Sequence, residues 1–263
     1  RPLAALTGAN LMAHSAEQLS LAAVPMIAVL LLDAGPGDIG LLAAVQTLPF
    51  LLLSLPLGLM VDRMPRRRLM MAAETLRAAS LLALLAAALT GYLSIGWLAV
   101  LGFVGAVGTV AFSVAAPALV PALVPRAALA QANGRLELAR SAAFAGGPAL
   151  GGALVSWAGA SATFVLASVM SLAAVALLWR LGEPPLAPRA ARHPLREAQE
   201  GARFVWRQPM LRSILLTAAV WNIAWFVLQA AYVPYAMRVL GLGAEVVGAT
   251  LGAFGAGMVV GAL

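Results

Sequence analysis

The sequence has no cysteine and no lysine. The first absence excludes disulfides, thiolate nucleophiles and cysteine metal sites. Two histidines, His14 and His193, are too few for a histidine metal cluster. Charge is scarce: charged residues make up 10% of the 263 positions, against about a quarter in soluble domains. No GxxxxGK[ST] loop occurs, so nothing supports ATP-driven chemistry. Gly102, Gly105 and Gly108 sit inside an oily run and follow no strand, so they form no dinucleotide site. No His/Ser/Asp or paired-carboxylate arrangement points to hydrolysis. The expectation is a protein that is not an enzyme and that needs no metal or organic cofactor.

What is abundant is apolar length. Hydrophobic residues reach 62% and the mean hydropathy is +0.94. A soluble fold of this size cannot hide that much apolar surface, so lipid is the solvent for much of it. Runs of about 20 mostly apolar residues cross a bilayer as helices. Such runs lie near 6–32, 38–60, 69–91, 95–119, 136–158, 161–180, 211–236 and 246–263. They lack the period-two alternation of barrel strands. The expected fold class is therefore all-α, a polytopic transmembrane helical bundle. The chain opens without Met and closes inside GAFGAGMVVGAL, which reads as a fragment with its eighth helix cut short.

The formal net charge is +7, carried entirely by arginine on the basic side. The arginines cluster in short segments between oily runs: 61–68, 126–140 and 180–212. That is a topological pattern and no nucleic-acid footprint. The alternate connections near 33–38, 91–96 and 158–162 carry no basic residue. Basic loops stay in the cytoplasm, so the expected chain is multi-pass with its N-terminus inside; arginine without lysine, beside abundant alanine, points to a bacterial source and hence an inner membrane.

Segment 180–212 divides the chain. GEPPLAPRAARHP is proline-rich and expected to be extended. LREAQEGARFVWRQP places Leu195, Ala198, Ala202 and Val205 at helical spacing, with Arg196, Arg203 and Arg207 on a neighbouring face. This predicts an amphipathic helix on the inner membrane surface. The expected organisation is a six-helix half over 1–180, a cytoplasmic linker over 181–210, and the start of a second half over 211–263. A faint repeat agrees: VPMI and VPYA place Pro25 against Pro234, and Asp38 falls against Glu245 at nearly the same offset.

Two stretches carry more specific information. GLMVDRMPRRR, residues 58–68, packs five charged side chains into its last seven positions. AFAGGPALGG, residues 143–152, places Gly147 and Gly151 on one helix face with Pro148 between them. The glycines alone allow an ordinary tight helix contact, and Pro148 removes a helical hydrogen bond. Together the two stretches resemble the signature loop between helices two and three of the major facilitator superfamily, and the helix-five motif of its antiporters. LVPRAALAQANGRLELARSAAF and REAQEGARFVWRQPMLR are similar to its bacterial drug and siderophore exporters, the macrolide-efflux-like and enterobactin-exporter-like group. The resemblance implies the first six helices, the linker, helix seven and part of helix eight of such a transporter, completed by its C-terminal half. It implies that Gly58, Asp62, Arg63, Arg66 and Arg67 form a cytoplasmic latch. Gly147, Pro148, Gly151 and Gly152 would form the antiporter motif. The arginines also serve topology alone, and that reading stays open. Two positions depart from the family: Pro65 stands where Gly is usual, and Trp97–Leu119 carries no Arg.

Inside the spans, Glu17 stands out. An acid near mid-bilayer costs on the order of 3 kcal/mol, so it is expected to face a cavity or a partner. It can couple protons or bind a cationic substrate, with His14 and Gln18 beside it. A buried structural hydrogen bond to either neighbour is the alternative. On the seventh helix Asn222 and Gln229 are seven apart and share a face near Trp225. They are candidates for the opposite wall of a central cavity. Glu74 with Arg77, and Glu137 with Arg140, read as same-helix structural pairs near the cytoplasmic end. The expected function is secondary active transport: proton-coupled efflux of small amphipathic or hydrophobic compounds, with multidrug resistance as its outcome. The expected partners are the lipid bilayer, a small-molecule substrate and protons. An importer or exchanger of a polar nutrient and a transport-inactive scaffold are the alternatives.

Overall fold

The computed structural model describes residues 2–183 and 194–262. It contains α1 (Pro2–Leu32), α2 (Pro36–Arg63), α3 (Arg66–Leu89), α4 (Ile95–Leu123), α5 (Leu129–Trp179), α6 (Pro194–Arg207), α7 (Pro209–Arg238) and α8 (Ala244–Ala262). Among the described residues there is no strand. Six helices, α1 to α5 and α7, are long and apolar enough to cross a membrane.

Local chemistry sets the helix ends. α2 starts on Pro36, whose missing N–H would be unsatisfied there in any case. Three residues in from Gly35, the Asp38 carboxylate accepts the Gly35 amide at 2.8 Å. Glu245 likewise falls in the first turn of α8. Ser94 caps α4 by accepting the Trp97 amide at 3.3 Å. The fifth and sixth expected spans are the two helical arms of α5, which meet at a non-helical break at Gly159. Its φ of 79° and ψ of 176° suit only glycine. The arm before Gly159 reaches back to residue 129, beyond the expected start at 136. Ala132, Leu136, Ala139 and Ala143 are buried there at helical spacing, while Gln131, Arg135 and Glu137 on the other face dilute the hydropathy. The linker helix expected over 195–209 is α6; most of the extended stretch before it, 184–193 with His193, lies outside the described residues.

α1 packs chiefly along α5; α3 lies against α4 and α5, α2 against α4, and α8 against the first arm of α5. The core forms two apolar clusters stacked along the bundle. One gathers Leu6, Val61, Met70, Phe112 and Leu178; the other gathers Leu19, Ile27, Leu84, Leu98 and Phe164. Between them, at mid-bundle, the buried polar side chains collect: His14, Gln18, Glu74, Arg77 and Thr109. Lipid offers such groups no hydrogen bonds, so they face one another or a cavity.

Candidate functional site

A cavity of about 1290 Å³ opens between α1, α2, α4, α5, α7 and α8. α1 contributes Asn10, His14, Glu17 and Gln18. His14 Nδ1 and Glu17 Oε2 are 2.9 Å apart, one helical turn from each other. The imidazole meets the Phe112 ring edge-on, with centroids 6.0 Å apart. That contact fixes the ring while its nitrogen holds the acid. The Asn10 amide donates to the Leu136 carbonyl at 2.9 Å, tying α1 to α5 beneath the pair.

The facing wall comes from α7 and α8. Asn222, Trp225 and Gln229 all line the cavity. Trp221 and Trp225 stack at 5.6 Å, nearly parallel, and Trp225 meets Phe254 of α8 at 4.4 Å. The Asn222 amide donates to the Ala218 carbonyl of its own helix at 2.8 Å. Tyr232 and Thr250 share a hydroxyl hydrogen bond of 2.5 Å across the α7–α8 seam. One wall therefore offers a carboxylate and an imidazole; the other offers aromatic faces and amides. Such a surface can hold an amphipathic molecule by stacking and by one charge contact.

Sequence reasoning missed part of this lining. Gln46 and Thr47 of α2 and Asn133 of α5 also face the cavity. So do Glu137 and Arg140, which the spacing marked only as a same-helix pair. They are paired, at 3.0 and 2.5 Å, and Arg140 also sits 5.4 Å from the Phe144 ring. Spacing shows that two side chains meet on a helix; it does not show which neighbour that face meets.

The helix-five motif works through missing side chains. A Cβ on Gly147 would stand 2.5 Å from the Gln18 Cβ, and one on Gly151 would stand 3.1 Å from the Leu19 carbonyl oxygen. α5 therefore presses directly on the α1 turn after Glu17. Gly152 faces the other way, against Ala244 and Gly248 of α8, and Gly248 in turn meets the Pro148 carbonyl.

At the basic end, Asp62 and Arg63 close α2 while Arg66 and Arg67 open α3; Gly58 has open space where a side chain would stand. The α3 N-terminus is held by Glu183, just past α5. Its two oxygens each accept one amide, from Arg66 and Arg67, both at 2.9 Å. The Arg67 guanidinium returns a bond to the Leu181 carbonyl at 2.6 Å. At the opposite end Arg238 of α7 reaches Asp33 at 3.0 Å and donates to the Ala34 carbonyl at 2.5 Å.

Comparison with known proteins adds the family. The profile of the Major Facilitator Superfamily matches residues 6–263. The multidrug efflux pump Tap of Mycobacterium tuberculosis (strain ATCC 25618 / H37Rv) is 30% identical over 223 residues, 78% of this chain and 51% of that protein. Tap of Mycolicibacterium fortuitum is 30% identical, over 83% of this chain and 56% of its own length. The uncharacterized MFS-type transporter YfiS of Bacillus subtilis (strain 168) is 31% identical, over 81% and 50%. The chain spans about half the length of these curated relatives. Among solved structures, an inward-facing, unoccupied bacterial homolog of the human lysosomal transporter Spinster superposes with a TM-score of 0.73 at 21% identity. The match covers 95% of this chain and 58% of that one. A D-xylose-proton symporter superposes with a TM-score of 0.65 at 15% identity, over 97% and 65%.

Proposed function

The chain belongs to the Major Facilitator Superfamily, and from that premise we propose that it forms the working core of a proton-coupled efflux transporter for small amphipathic compounds. The observation that carries this reading is the mid-bundle cavity, where the Glu17–His14 pair faces the stacked Trp221 and Trp225. A carboxylate there takes up a proton when the cavity faces the acidic side and releases it when the cavity turns inward. Substrate and proton then compete for one place, which is the simplest coupling an exchanger can use. The relatives named as multidrug efflux pumps support the export direction and the substrate type.

In this reading residues 1–180 form one half and 211–263 begin the other, joined by the linker over 181–210. The halves rock about the cavity, and the C-terminal half completes its far wall. The basic connections lie in the cytoplasm and the protein resides in a bacterial inner membrane. Asp62, Arg63, Arg66 and Arg67 latch the inner side. Gly147, Pro148, Gly151 and Gly152 let α5 slide against α1 and α8 as the halves move.

The test uses the full-length protein in cells loaded with ethidium, a fluorescent lipophilic cation. Wild-type protein is expected to lower dye accumulation, and collapsing the proton gradient is expected to abolish the difference. Glu17→Gln is expected to lose most of it at normal membrane abundance. Undiminished gradient-driven export by that variant removes Glu17 from the mechanism. A difference that survives collapse of the gradient replaces coupled export with facilitated diffusion.

A further inference from the structure

Behind the cavity wall the bundle buries a second charged pair that the transport reading leaves unused. Glu74 and Arg77 of α3 are both buried, with Arg77 Nη1 3.0 Å from Glu74 Oε1. The guanidinium serves two further helices. Nη1 also donates to the Ala13 carbonyl of α1 at 2.7 Å, and Nη2 donates to the Thr109 hydroxyl of α4 at 2.8 Å. Ala13 immediately precedes His14. In an α-helix its carbonyl is also the acceptor for the amide four residues on, which is that of Glu17. One cation on α3 thus grips the α1 turn that carries both members of the cavity pair.

We propose that Arg77 is a positioning residue for Glu17, holding its helical turn against α4 and setting, with Glu74 as counter-charge, how readily the carboxylate takes up a proton. The proposal rests on the reading of Glu17 as the coupling acid. Three arguments carry it. First, a buried ion pair is a poor device for stability alone, because apolar side chains of similar volume pack as well without the desolvation cost. Second, the rigid fork of arginine meets three partners on three helices at once, which a lysine point charge cannot do. Third, the charges around Glu17 are few. His14 pairs with it from its own helix, Arg77 of α3 holds the Ala13 carbonyl of the same turn, Arg140 of α5 lines the same cavity, and Glu74 pairs with Arg77.

The charge signs give a test that packing alone cannot imitate. A carbodiimide reacts with protonated carboxyls, so labelling of purified full-length protein across a pH series, read on the α1 peptide by mass spectrometry, reports Glu17 directly. Glu17→Gln supplies the blank. Arg77→Gln removes the nearby cation, and the pH of half-labelling is expected to rise by about one unit, tenfold in proton activity. Glu74→Gln leaves that cation uncompensated and is expected to move the half-labelling pH down. Arg77→Lys keeps the charge and is expected to restore most of the wild-type value. If Arg77→Gln does not fold, the Glu74→Gln/Arg77→Gln double variant leaves no unpaired charge buried, and a rise is again expected because Arg77 bonds the α1 turn that carries Glu17 whereas Glu74 bonds Arg77. A half-labelling pH that stays at the wild-type value in the folded variants, or that moves the same way for both single variants, overturns the proposal. Undiminished export by Glu17→Gln would instead sink the coupling role and leave the grip of Arg77 on the Glu17 titration measurable by itself.

Discussion

Glu183 supplies what α3 lacks at its own start. Pro65 stands at the N-cap and provides no side-chain acceptor, so the first amides of the helix need one from elsewhere. The Glu183 carboxylate takes two of them and sets a negative charge at the positive end of the helix dipole. Glu183→Ala is expected to cost about 1 kcal/mol, and Glu183→Gln less, since the amide oxygen still accepts one bond. The local readout is limited trypsin digestion after Arg66, Arg67 and Arg68. Faster cutting in Glu183→Ala is expected, and unchanged cutting would show the α3 end to be held by something else. Sequence reading gave this end its arginines but not its acid, because 117 positions separate Arg66 from Glu183. The His14–Glu17 contact was legible because both residues lie one turn apart on one helix. Only the same-helix half of the Arg77 arrangement was legible. Its bonds to Ala13 and Thr109 depend on how three helices cross, and no spacing in the chain encodes that.

At the scale of elements, α5 shows how much the pattern could give. Its break was legible from WAGAS, and Gly159 supplies it with a φ that other residues rarely adopt. Its glycine motif was legible as a close-packing face, but not which of two neighbours each glycine meets. Gly146 and Gly147 separate the two effects of glycine in a helix. A Cβ at Gly146 meets nothing within 4 Å, whereas one at Gly147 stands 2.5 Å from Gln18. Gly146→Ala is therefore expected to be neutral or to stabilise by up to about 1 kcal/mol, the ordinary helix preference. Gly147→Ala is expected to destabilise by about 1–3 kcal/mol as α1 is forced away, and to impair the proposed export because the displaced turn follows Glu17. Thermal midpoints of the two variants in detergent check this. Equal midpoints would show that α1 and α5 are not pressed together at Gly147.

At the scale of the whole molecule, the placement of charge ties fold to orientation. α1 and α7 meet through Arg238 and Asp33 at one end of the bundle, while the arginine-rich connections gather at the other. The Arg238–Asp33 pair is exposed, so Asp33→Asn is expected to change stability by less than about 1 kcal/mol. The expected side of each connection follows from counting helices as crossings. Positions 66 and 130 are separated by α3 and α4, two crossings, so they share a face; Ala202 of α6 shares it after the two arms of α5. Tyr92 and Trp157 are each one crossing away and belong to the opposite face, with Leu240 beyond α7. All six connections sampled by these positions were visible as breaks between oily runs, and arginine content alone divided them into two sets. The absence of native cysteine lets each position be tested by one engineered thiol in an otherwise unreactive chain. A membrane-impermeant maleimide is expected to label cysteines at 92, 157 and 240 in intact cells. Those at 66, 130 and 202 are expected to react only in inverted vesicles. Labelling of 66 and 130 from opposite sides would require an odd number of crossings between them. That would break the pairing of α3 with α4 and, with it, the shared inner face on which the proposed latch depends.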